Sequence, residues 1–348
     1  MKKLLLLSLL CLSFNTFLRG QIEKGAITFG GEIGLDYLAA EEEPFSGFSY
    51  GFSPSFALMV TDHWLLGASL STSAFDDSAN LSTIAPQVRY YLNPGSEGNN
   101  YYAGFRYEGD FGDYEESSYN FQLGFNRFLN ENIALDASIT YAIHSLRDNG
   151  FILNLGLQPF MNKDDREAWQ SAVSTFNRGD LMISPGFASI FYLGGVLDMR
   201  FSPDIGLFLS DHTLVGVSLS GSYSNRLNNT FDYEGAHFSI APYLRRYFGS
   251  SQQHWRWYSQ VGLLLTGSGY ETELAEVDSW GSLLNGRLGT NCFLTSNLAI
   301  DIGLDLSYHL WTNQNGATRL GEFDGPWANR GFRIGASVGV KYFLQRTD

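Results

Sequence analysis

The sequence repeats itself. Five short segments of the first half recur in the same order in the second half, about 150–165 residues later. The longest matches pair Thr61–Ser73 with Ser210–Ser222 and Gly124–Asp136 with Gly289–Asp301. The shorter matches pair Lys24-Gly25 with Arg178-Gly179, Phe52-Ser53-Pro54 with Phe201-Ser202-Pro203, and Ile84-Ala85-Pro86 with Ile240-Ala241-Pro242. Repeated landmarks at this spacing predict a tandem duplication of a domain-sized unit.

The first twenty residues predict a secretory signal. Residues 1–20 combine two lysines, an apolar run and a small residue before Gln21, which is the pattern of a cleaved signal peptide. Without them the chain has 19 basic and 36 acidic residues, a formal charge near −17. A chain this acidic does not favour nucleic acid as a partner. Only Cys292 remains, so the sequence predicts no disulfide framework.

The dominant hydrophobic period is two, which is typical of β-strands. In Ile133–Ile143 the apolar side chains share one face with one another and the polar ones share the other, and Leu298–Leu310 alternates in the same way. We expect eight strands in each half. The predicted strands lie near 24–38, 48–61, 63–73, 81–92, 101–109, 119–130, 132–144 and 150–160, and near 181–194, 197–210, 212–223, 236–248, 256–268, 283–294, 297–310 and 331–344.

A soluble β-sandwich would also alternate, but three features favour a membrane barrel. Many predicted strands reach the nine to eleven residues that cross a bilayer. Aromatic residues cluster at strand ends, as in Tyr90-Tyr91 and Tyr101-Tyr102. Short connections alternate with long ones, and the long ones are 39–47, 110–118, 225–235, 270–282 and 312–330. Short turns on one rim, long loops on the other and aromatic girdles are typical of outer-membrane β-barrels.

Each half also resembles a known family. The segments KGAITFGGEIGLDY, DHWLLGASLS, IAPQVRYYL and FLNENIALD resemble the eight-stranded, porin-like outer-membrane β-barrel family of Bacteroidetes, which is related in architecture to OmpA-type barrels. The resemblance covers residues 24–161 and 179–344. It implies a multi-pass location in the cell outer membrane, contact with outer-membrane lipid and lipopolysaccharide, and insertion by the barrel-assembly machinery.

Sixteen strands allow two architectures. The sequence favours a signal peptide at 1–20, a first eight-stranded barrel at 21–162, a periplasmic linker at 163–178 and a second eight-stranded barrel at 179–348, because the linker is long and charged. The alternative is one sixteen-stranded barrel. The choice bears on function, because side chains just fill an eight-stranded interior whereas sixteen strands leave a water channel.

Alternation places several charged residues inside the barrel. This predicted interior polar network comprises Arg89, Asp136, Arg106, Glu108, Arg245, Asp301 and Arg287. Buried ion pairs that fill a narrow barrel explain such a set, because unpaired charge there would be costly. His144 and His309 occupy equivalent inward positions, but the two halves share no matching nucleophile and base. We therefore predict no catalytic, cofactor-binding or metal-binding residues.

The predicted function is a structural or surface-interaction role in the outer membrane, without catalysis and without a cofactor. The alternative is a sixteen-stranded diffusion porin for small solutes, with Arg89, Arg106, Arg245 and Arg287 lining the pore. A lipid-modifying enzyme that uses His144 and His309 is a third hypothesis. Carboxylates in the outward loops, such as those at 41–43, do not identify an extracellular ligand.

Overall fold

A computed structural model describes most of the chain. The described residues are 22–31, 33–39, 47–75, 81–94, 99–111, 117–145, 149–164, 175–184, 188–193, 196–226, 233–250, 253–272, 275–318, 321–325 and 332–345. The predicted signal peptide at 1–20, the central part of the predicted linker and the acidic residues 41–43 lie outside the described residues. Among the described residues, no helix has the length and apolar character needed to span a bilayer.

The described chain forms twenty-one antiparallel strands joined in one sheet. The strands of the first half are β1 (Ile27–Gly30), β2 (Ile33–Ala39), β3 (Gly47–Phe52), β4 (Ser55–Met59), β5 (Trp64–Phe75), β6 (Leu81–Tyr91), β7 (Asn99–Asp110), β8 (Ser117–Phe128), β9 (Ile133–His144) and β10 (Gly150–Pro159). Those of the second half are β11 (Leu181–Ser184), β12 (Ala188–Leu193), β13 (Val196–Phe201), β14 (Asp204–Phe208), β15 (Thr213–Arg226), β16 (Tyr233–Tyr247), β17 (Trp255–Thr272), β18 (Ala275–Thr295), β19 (Leu298–Thr318), β20 (Gly321–Gly325) and β21 (Phe332–Leu344).

The side chains alternate between the two faces of the sheet, as the sequence pattern predicts. On β9, Ile139 and Tyr141 are exposed on the outside, whereas Ser138 and Thr140 are buried inside. Large apolar side chains cover the outer face of many strands, including Phe121, Leu123, Leu153, Val261, Leu263, Leu284, Leu288 and Leu304. Because an exposed face of this kind is stable only against lipid, the outside of the sheet is a membrane-facing surface.

At the end of the sheet that carries the short turns, which we call the turn end, the strands close into two separate rings. In the first ring, β1 pairs with β4, then β5 to β10 follow in order, and a bridge between Ile27 and Met161 closes the circle at eight strands. In the second ring, β11 pairs with β14, β15 to β19 and β21 follow, and β11 pairs with β21. The predicted all-β class with two eight-stranded antiparallel barrels is therefore confirmed at this end.

At the opposite end, the long-loop end, the two halves join into one ring. There β2 pairs with β21 and with β3, while β12 pairs with β10 and with β13. Since β3 pairs with β5 and β13 pairs with β15, the circle contains β2, β3, β5 to β10, β12, β13, β15 to β19 and β21. These are sixteen strands, and we call this circle the common ring. Both architectures that the sequence allows thus occur, at different levels of one sheet.

The first half changes strand partners at two marked positions. Between β1 and β2, Gly31 has φ +92°, a conformation that glycine adopts without strain. A Cβ atom on Gly31 would lie 1.8 Å from the carbonyl oxygen of Ser53, which lies in the break between β3 and β4. Pro54 follows and has no N–H to donate, so the ladder loses a donor where it changes partner. The repeated Ser202-Pro203 lies at the corresponding break between β13 and β14.

Two of the predicted long loops are wrong in part. Residues 275–282 continue β18, and residues 312–318 continue β19, which reaches Thr318. Residues 312–318 are polar and rich in asparagine, and residues 275–282 carry two acidic residues and two serines, which are compositions that favour loops. In the structure they are strands because the neighbouring strands are equally extended and pair with them. Glu276 on β18, for example, lies opposite Glu271 on β17 and Ala317 on β19.

Candidate functional site

The interior of each ring holds the same cluster of five side chains, which we call the Arg–Tyr–Asp layer. In the first ring it comprises Arg89, Tyr91, Tyr102, Asn126 and Asp136. Tyr91 donates to the Asn126 side-chain oxygen at 2.8 Å, and Asn126 donates to Asp136 at 3.1 Å. Tyr102 donates to the same carboxylate at 2.8 Å. Every member therefore contacts another, and the cluster crosses the ring from β6 to β9.

Arg89 is held by three kinds of contact. Its guanidinium lies 3.8 Å from the Asp136 carboxylate and 4.5 Å from the centre of the Tyr102 ring. It donates to the Gln158 side-chain oxygen at 3.0 Å, and Gln158 donates in turn to Thr28 on β1. This chain of contacts links β6 to β10 and β1. Arg89 thus binds the Gln158 side chain that joins the last strand of the ring to its first.

The second ring repeats the layer with Arg245, Tyr247, Tyr258, Asn291 and Asp301. Tyr247 donates to Asn291 at 2.9 Å, Asn291 donates to Asp301 at 2.8 Å, and Tyr258 donates to Asp301 at 2.6 Å. The Arg245 guanidinium lies 4.0 Å above the Tyr258 ring. Arg245 and Asp301 are each only 1% exposed. The two layers therefore share the same residue types in the same hydrogen-bonding order.

The second layer contains an additional cation. Arg287 donates to Asp301 at 2.8 Å and reaches Asp305 at 3.3 Å. Its counterpart in the first ring is Gln122, which hydrogen-bonds to Ser138 instead. Arg287 is thus the partner that forms the short ion pair with Asp301, while Arg245 stacks on the tyrosines. Lys341 and Asp204 add a further pair at 2.6 Å that the sequence analysis did not identify.

Glycine makes room for both layers. A Cβ atom on Gly289 would lie 2.5 Å from the Tyr258 hydroxyl, and one on Gly124 would lie 2.6 Å from the Tyr102 hydroxyl. Real Cβ atoms do not approach other atoms this closely, so the two tyrosine rings fit only over glycine. The layer is therefore specified by small residues on β8 and β18 as well as by its polar members.

Apolar side chains fill the rings below the layers, at the turn end. In the first ring Ile22, Met59, Leu65 and Phe160 pack beneath Tyr91. In the second ring Tyr247 and Tyr258 of the layer pack with Phe176, Met182, Phe208, Leu214, Tyr243, Phe293, Ala299 and Phe343. Phe176 comes from the predicted linker and stacks 4.2 Å from the Arg256 guanidinium. A segment outside the strands thus closes the base of each ring.

Arg106 and Glu108 lie apart from these buried layers. They form an ion pair at 2.8 Å, but their side chains are 42% and 33% exposed. Arg200 and Asp198 on β13 form a similar pair at 3.0 Å, with Arg200 71% exposed. Because β7 and β13 turn these residues toward the inside of the sheet, the exposed pairs mark a water-accessible interior at the common ring.

The tyrosines and the asparagines are the parts of the two layers that the sequence analysis missed. Tyr91 and Tyr102 were assigned to aromatic girdles with their neighbours, but both are buried inside the first ring. Strand alternation distinguishes the inward tyrosines from their outward neighbours, because Tyr91 lies two residues from Arg89 and therefore faces the same side. The neighbours Tyr90 and Tyr101 point outward, and Tyr101 is 49% exposed.

The described residues present no metal centre. Within them, no group of three or more His, Cys, Asp or Glu side chains is arranged to hold a metal ion. His144 and His309 lie at the long-loop ends of β9 and β19. Buried Cys292 lies 3.4 Å from His254 near the turn end of β18, next to Asn291 of the second layer but on the other face of the strand.

The chain matches no family model and no curated protein sequence. It is similar to the outer membrane protein OprG from Pseudomonas aeruginosa, with 15% identity, a TM-score of 0.33, and coverage of 50% of this chain and 100% of that one. It is similar to the N-terminal β-barrel domain of Pseudomonas aeruginosa OprF, with 18% identity, a TM-score of 0.28, and coverage of 49% and 100%. A bacterial polysaccharide outer membrane secretin gives 10% identity, a TM-score of 0.45, and coverage of 94% and 99%.

TM-scores below 0.5 do not establish a shared fold, so the architecture follows from the strand pairing itself. Every strand of the three rings has a partner on both sides, the outer face is apolar and the inner face is polar. Closed antiparallel sheets of this kind satisfy the backbone in lipid, and short turns with an apolar outer band are their outer-membrane form. The chain is a multi-pass β-barrel of the outer membrane.

Proposed function

We propose that the protein is a non-conducting and non-catalytic component of the outer membrane that acts through its long-loop end, by structural support or surface interaction. The observation that carries this proposal is the filling of both rings at the turn end. Arg245, Tyr247 and Phe176 are almost completely buried there, and the first ring contains their counterparts. A solute that enters the common ring would meet packed side chains before the periplasm.

The packing also supports a structural role for the charged residues. Arg89, Asp136, Arg245, Asp301 and Arg287 have charged or hydrogen-bonding partners within their own ring. Charges that are already paired and buried bind a transient ion poorly, because each partner would have to be displaced. Arg106 and Glu108 differ, since their exposure places them in contact with water at the common ring.

We also propose that the two halves arose by tandem duplication of an eight-stranded barrel unit of the Bacteroidetes type. The repeated Arg–Tyr–Asp layers and the matching strand breaks at Pro54 and Pro203 support this origin. In this proposal residues 21–162 and 179–348 are the two units and residues 163–178 join them in the periplasm. The partners are outer-membrane lipid, lipopolysaccharide and the barrel-assembly machinery, together with an extracellular ligand of unknown chemistry and without nucleic acid or a cofactor.

Planar-bilayer recording of the purified protein tests the proposal. We expect a conductance indistinguishable from the lipid baseline, with a sixteen-stranded porin recorded in parallel as the positive control. The shift in gel mobility on heating, which folded barrels show, checks that the silent protein is folded. Stable ohmic channels of porin size from folded protein would overturn the proposal.

The sixteen-stranded common ring favours a second candidate, the diffusion porin. In a porin the four arginines Arg89, Arg106, Arg245 and Arg287 would face one lumen. Replacing Arg106 by glutamate would then change the ion selectivity of the channel, because the side chain would line the conducting path. Under the first proposal the same variant is as silent as the parent protein.

A further inference from the structure

At the long-loop end, β2 pairs with β21 in the register that β12 would have if it continued along β21 from β11. In the second ring, Leu181 pairs with Leu344. If β12 continued along β21 in that register, Ala188 would lie opposite Ser337. The structure instead places Gly34 opposite Ser337. Gly34 precedes Ala188 by the same spacing that separates Lys24 from its repeat Arg178. The first half therefore occupies the position on β21 that the second half would occupy.

The exchange is reciprocal. In the first ring, Ile27 bridges Met161, and continuing this register along β10 would place Ile33 opposite Leu155. The structure places Ala188 there, which is the repeat counterpart of Gly34 and so lies within one residue of the same register. Strands β2 and β12 have thus traded places on β21 and β10, with β12 shifted along β10 by one residue, which turns its side chains to the opposite faces.

We propose that this chain has two closures related by that exchange. In the fused closure, which the structure shows, β2 pairs with β21 and β12 pairs with β10, forming the common ring. In the separate closure, β2 pairs with β10 and β12 pairs with β21, forming two complete eight-stranded barrels. Both closures leave no strand edge unpaired, which is the main requirement in lipid. The fused closure opens one wide mouth at the long-loop end, whereas the separate closure forms two narrow ones.

Local features at the break decide between the two closures. In the fused closure β1 leaves the first ring at Gly31, with φ +92° and no room for a Cβ beside Ser53. A strand that runs straight on along β10 keeps a negative φ and tolerates any side chain at this position. Gly31 is therefore a positioning residue for the fused closure. Neighbouring Gly30 serves as a matched control, because its Cβ would meet only the Ser55 hydroxyl, at 3.2 Å.

The closures exchange slowly once the protein is in the membrane. To interconvert, the β2–β21 and β10–β12 ladders must both open, and open backbone groups have no water to bind in the bilayer core. The closure is therefore selected while the strands assemble, and the assembled protein keeps it. The choice between the two closures is independent of whether the barrel conducts.

Paired cysteines in a Cys292→Ser background read the closure directly. Leu153 and Ile190 lie opposite each other in the fused closure and both face outward. In the separate closure the first-ring register places Leu153 opposite Leu35 instead. The double variant Leu153→Cys with Ile190→Cys reports the fused closure, and Leu153→Cys with Leu35→Cys reports the separate one. Oxidation followed by protease digestion and mass spectrometry quantifies each cross-linked peptide.

We expect both cross-links in refolded protein, with the fused product in excess. Gly31→Ala should shift the ratio toward the separate product at least threefold, whereas Gly30→Ala should leave it unchanged. The pair Leu35→Cys with Leu263→Cys, on unconnected strands, sets the background. If only one of the two cross-links rises above background in every variant that folds, the proposal of two closures is wrong. An unchanged ratio in folded Gly31→Ala would overturn the role of Gly31, and if that variant does not fold, the parent protein still decides the proposal.

Discussion

At the scale of single residues, each ring contains an aspartate whose carboxylate binds both an arginine and a tyrosine. The two layers differ in burial and in cation number, and this difference has energetic consequences. Asp301 is 1% exposed and accepts from Arg287, Asn291 and Tyr258. Asp136 has one cation, Arg89, at 3.8 Å, and its side chain is 19% exposed. The second layer should therefore be the more sensitive to the loss of its carboxylate.

Replacing Asp301 by asparagine removes the charge and keeps the shape. We expect the free energy of unfolding to fall by about 3 kcal/mol, because the variant leaves buried Arg287 without its closest carboxylate. Asp136→Asn is the matched variant in the first ring and should cost less, since its ion pair is longer and its carboxylate is more exposed. Urea titrations in lipid vesicles, followed by tryptophan fluorescence, measure both. Equal losses would contradict the difference between the layers.

Replacing Gly289 by alanine tests the packing of Tyr258 over the glycine. The new methyl group would lie 2.5 Å from the tyrosine hydroxyl and 2.6 Å from the carbonyl oxygen of Ile302, so the ring must move away from Asp301 and the backbone must shift. We expect a loss of about 1–3 kcal/mol, the range for overpacking. Gly286→Ala on the same strand is the control, because its nearest neighbour would lie 3.9 Å away. The same vesicle titration applies, and similar stabilities for the two variants would argue against the contact.

At the scale of elements, alternation in the sequence predicts most strands and the inward direction of Arg89, Asp136 and Arg245. It does not predict which strand pairs with which at the long-loop end. The reason is the repeat itself, since β2 and β12 can pair with the same neighbouring strands in registers that differ by no more than one residue. Arg287 illustrates a similar limit, because its carboxylate partner depends on ring closure and its counterpart Gln122 carries no charge.

Segments outside the strands also contribute to the rings, as Phe176 shows. Its ring lies 4.1 Å from that of Phe208 and stacks on Arg256. We expect Phe176→Ala to lower the free energy of unfolding by about 3–5 kcal/mol, the range for a buried Phe truncation. Phe56→Ala, at a side chain 52% exposed to lipid, is the size-matched control and should cost less. Thermal unfolding, monitored by the heat-dependent shift in gel mobility, ranks the two variants. A smaller effect for Phe176 would show that the linker does not close the second ring.

At the scale of the whole molecule, the two rings pack against each other through side chains that would otherwise face lipid. This contact comprises Ile133, Met161, Leu294, Leu298, Val340 and Tyr342, with Phe29, Leu129, Leu157, Ile300 and Leu344 at its margin. The Tyr342 hydroxyl reaches the carbonyl oxygen of Leu157 at 3.4 Å. The shared apolar surface holds the rings side by side beneath the common ring.

Two leucines on the outward face of β19 allow the contact between the rings to be compared with exposure to lipid. Leu298 is 0% exposed between the rings, whereas Leu304 is 59% exposed. We expect Leu298→Ala to cost about 2–5 kcal/mol because it leaves a cavity, and Leu304→Ala to cost less because lipid chains fill the space. Guanidinium titration in vesicles measures both. Indistinguishable midpoints would mean that the rings do not pack together.

The unequal strand lengths give the barrel an uneven height. Strands β18 and β19 each have 21 residues, whereas β7, β8 and β9 have 12. At about 3.3 Å per residue and a tilt near 45°, the longer strands span roughly 50 Å along the membrane normal and the shorter ones roughly 28 Å. The shorter strands roughly match a bilayer core of about 30 Å, whereas the longer ones extend about 20 Å further along the membrane normal. Any large molecule that approaches the long-loop end would contact the extended ends of β18 and β19 before it reached the lower rim.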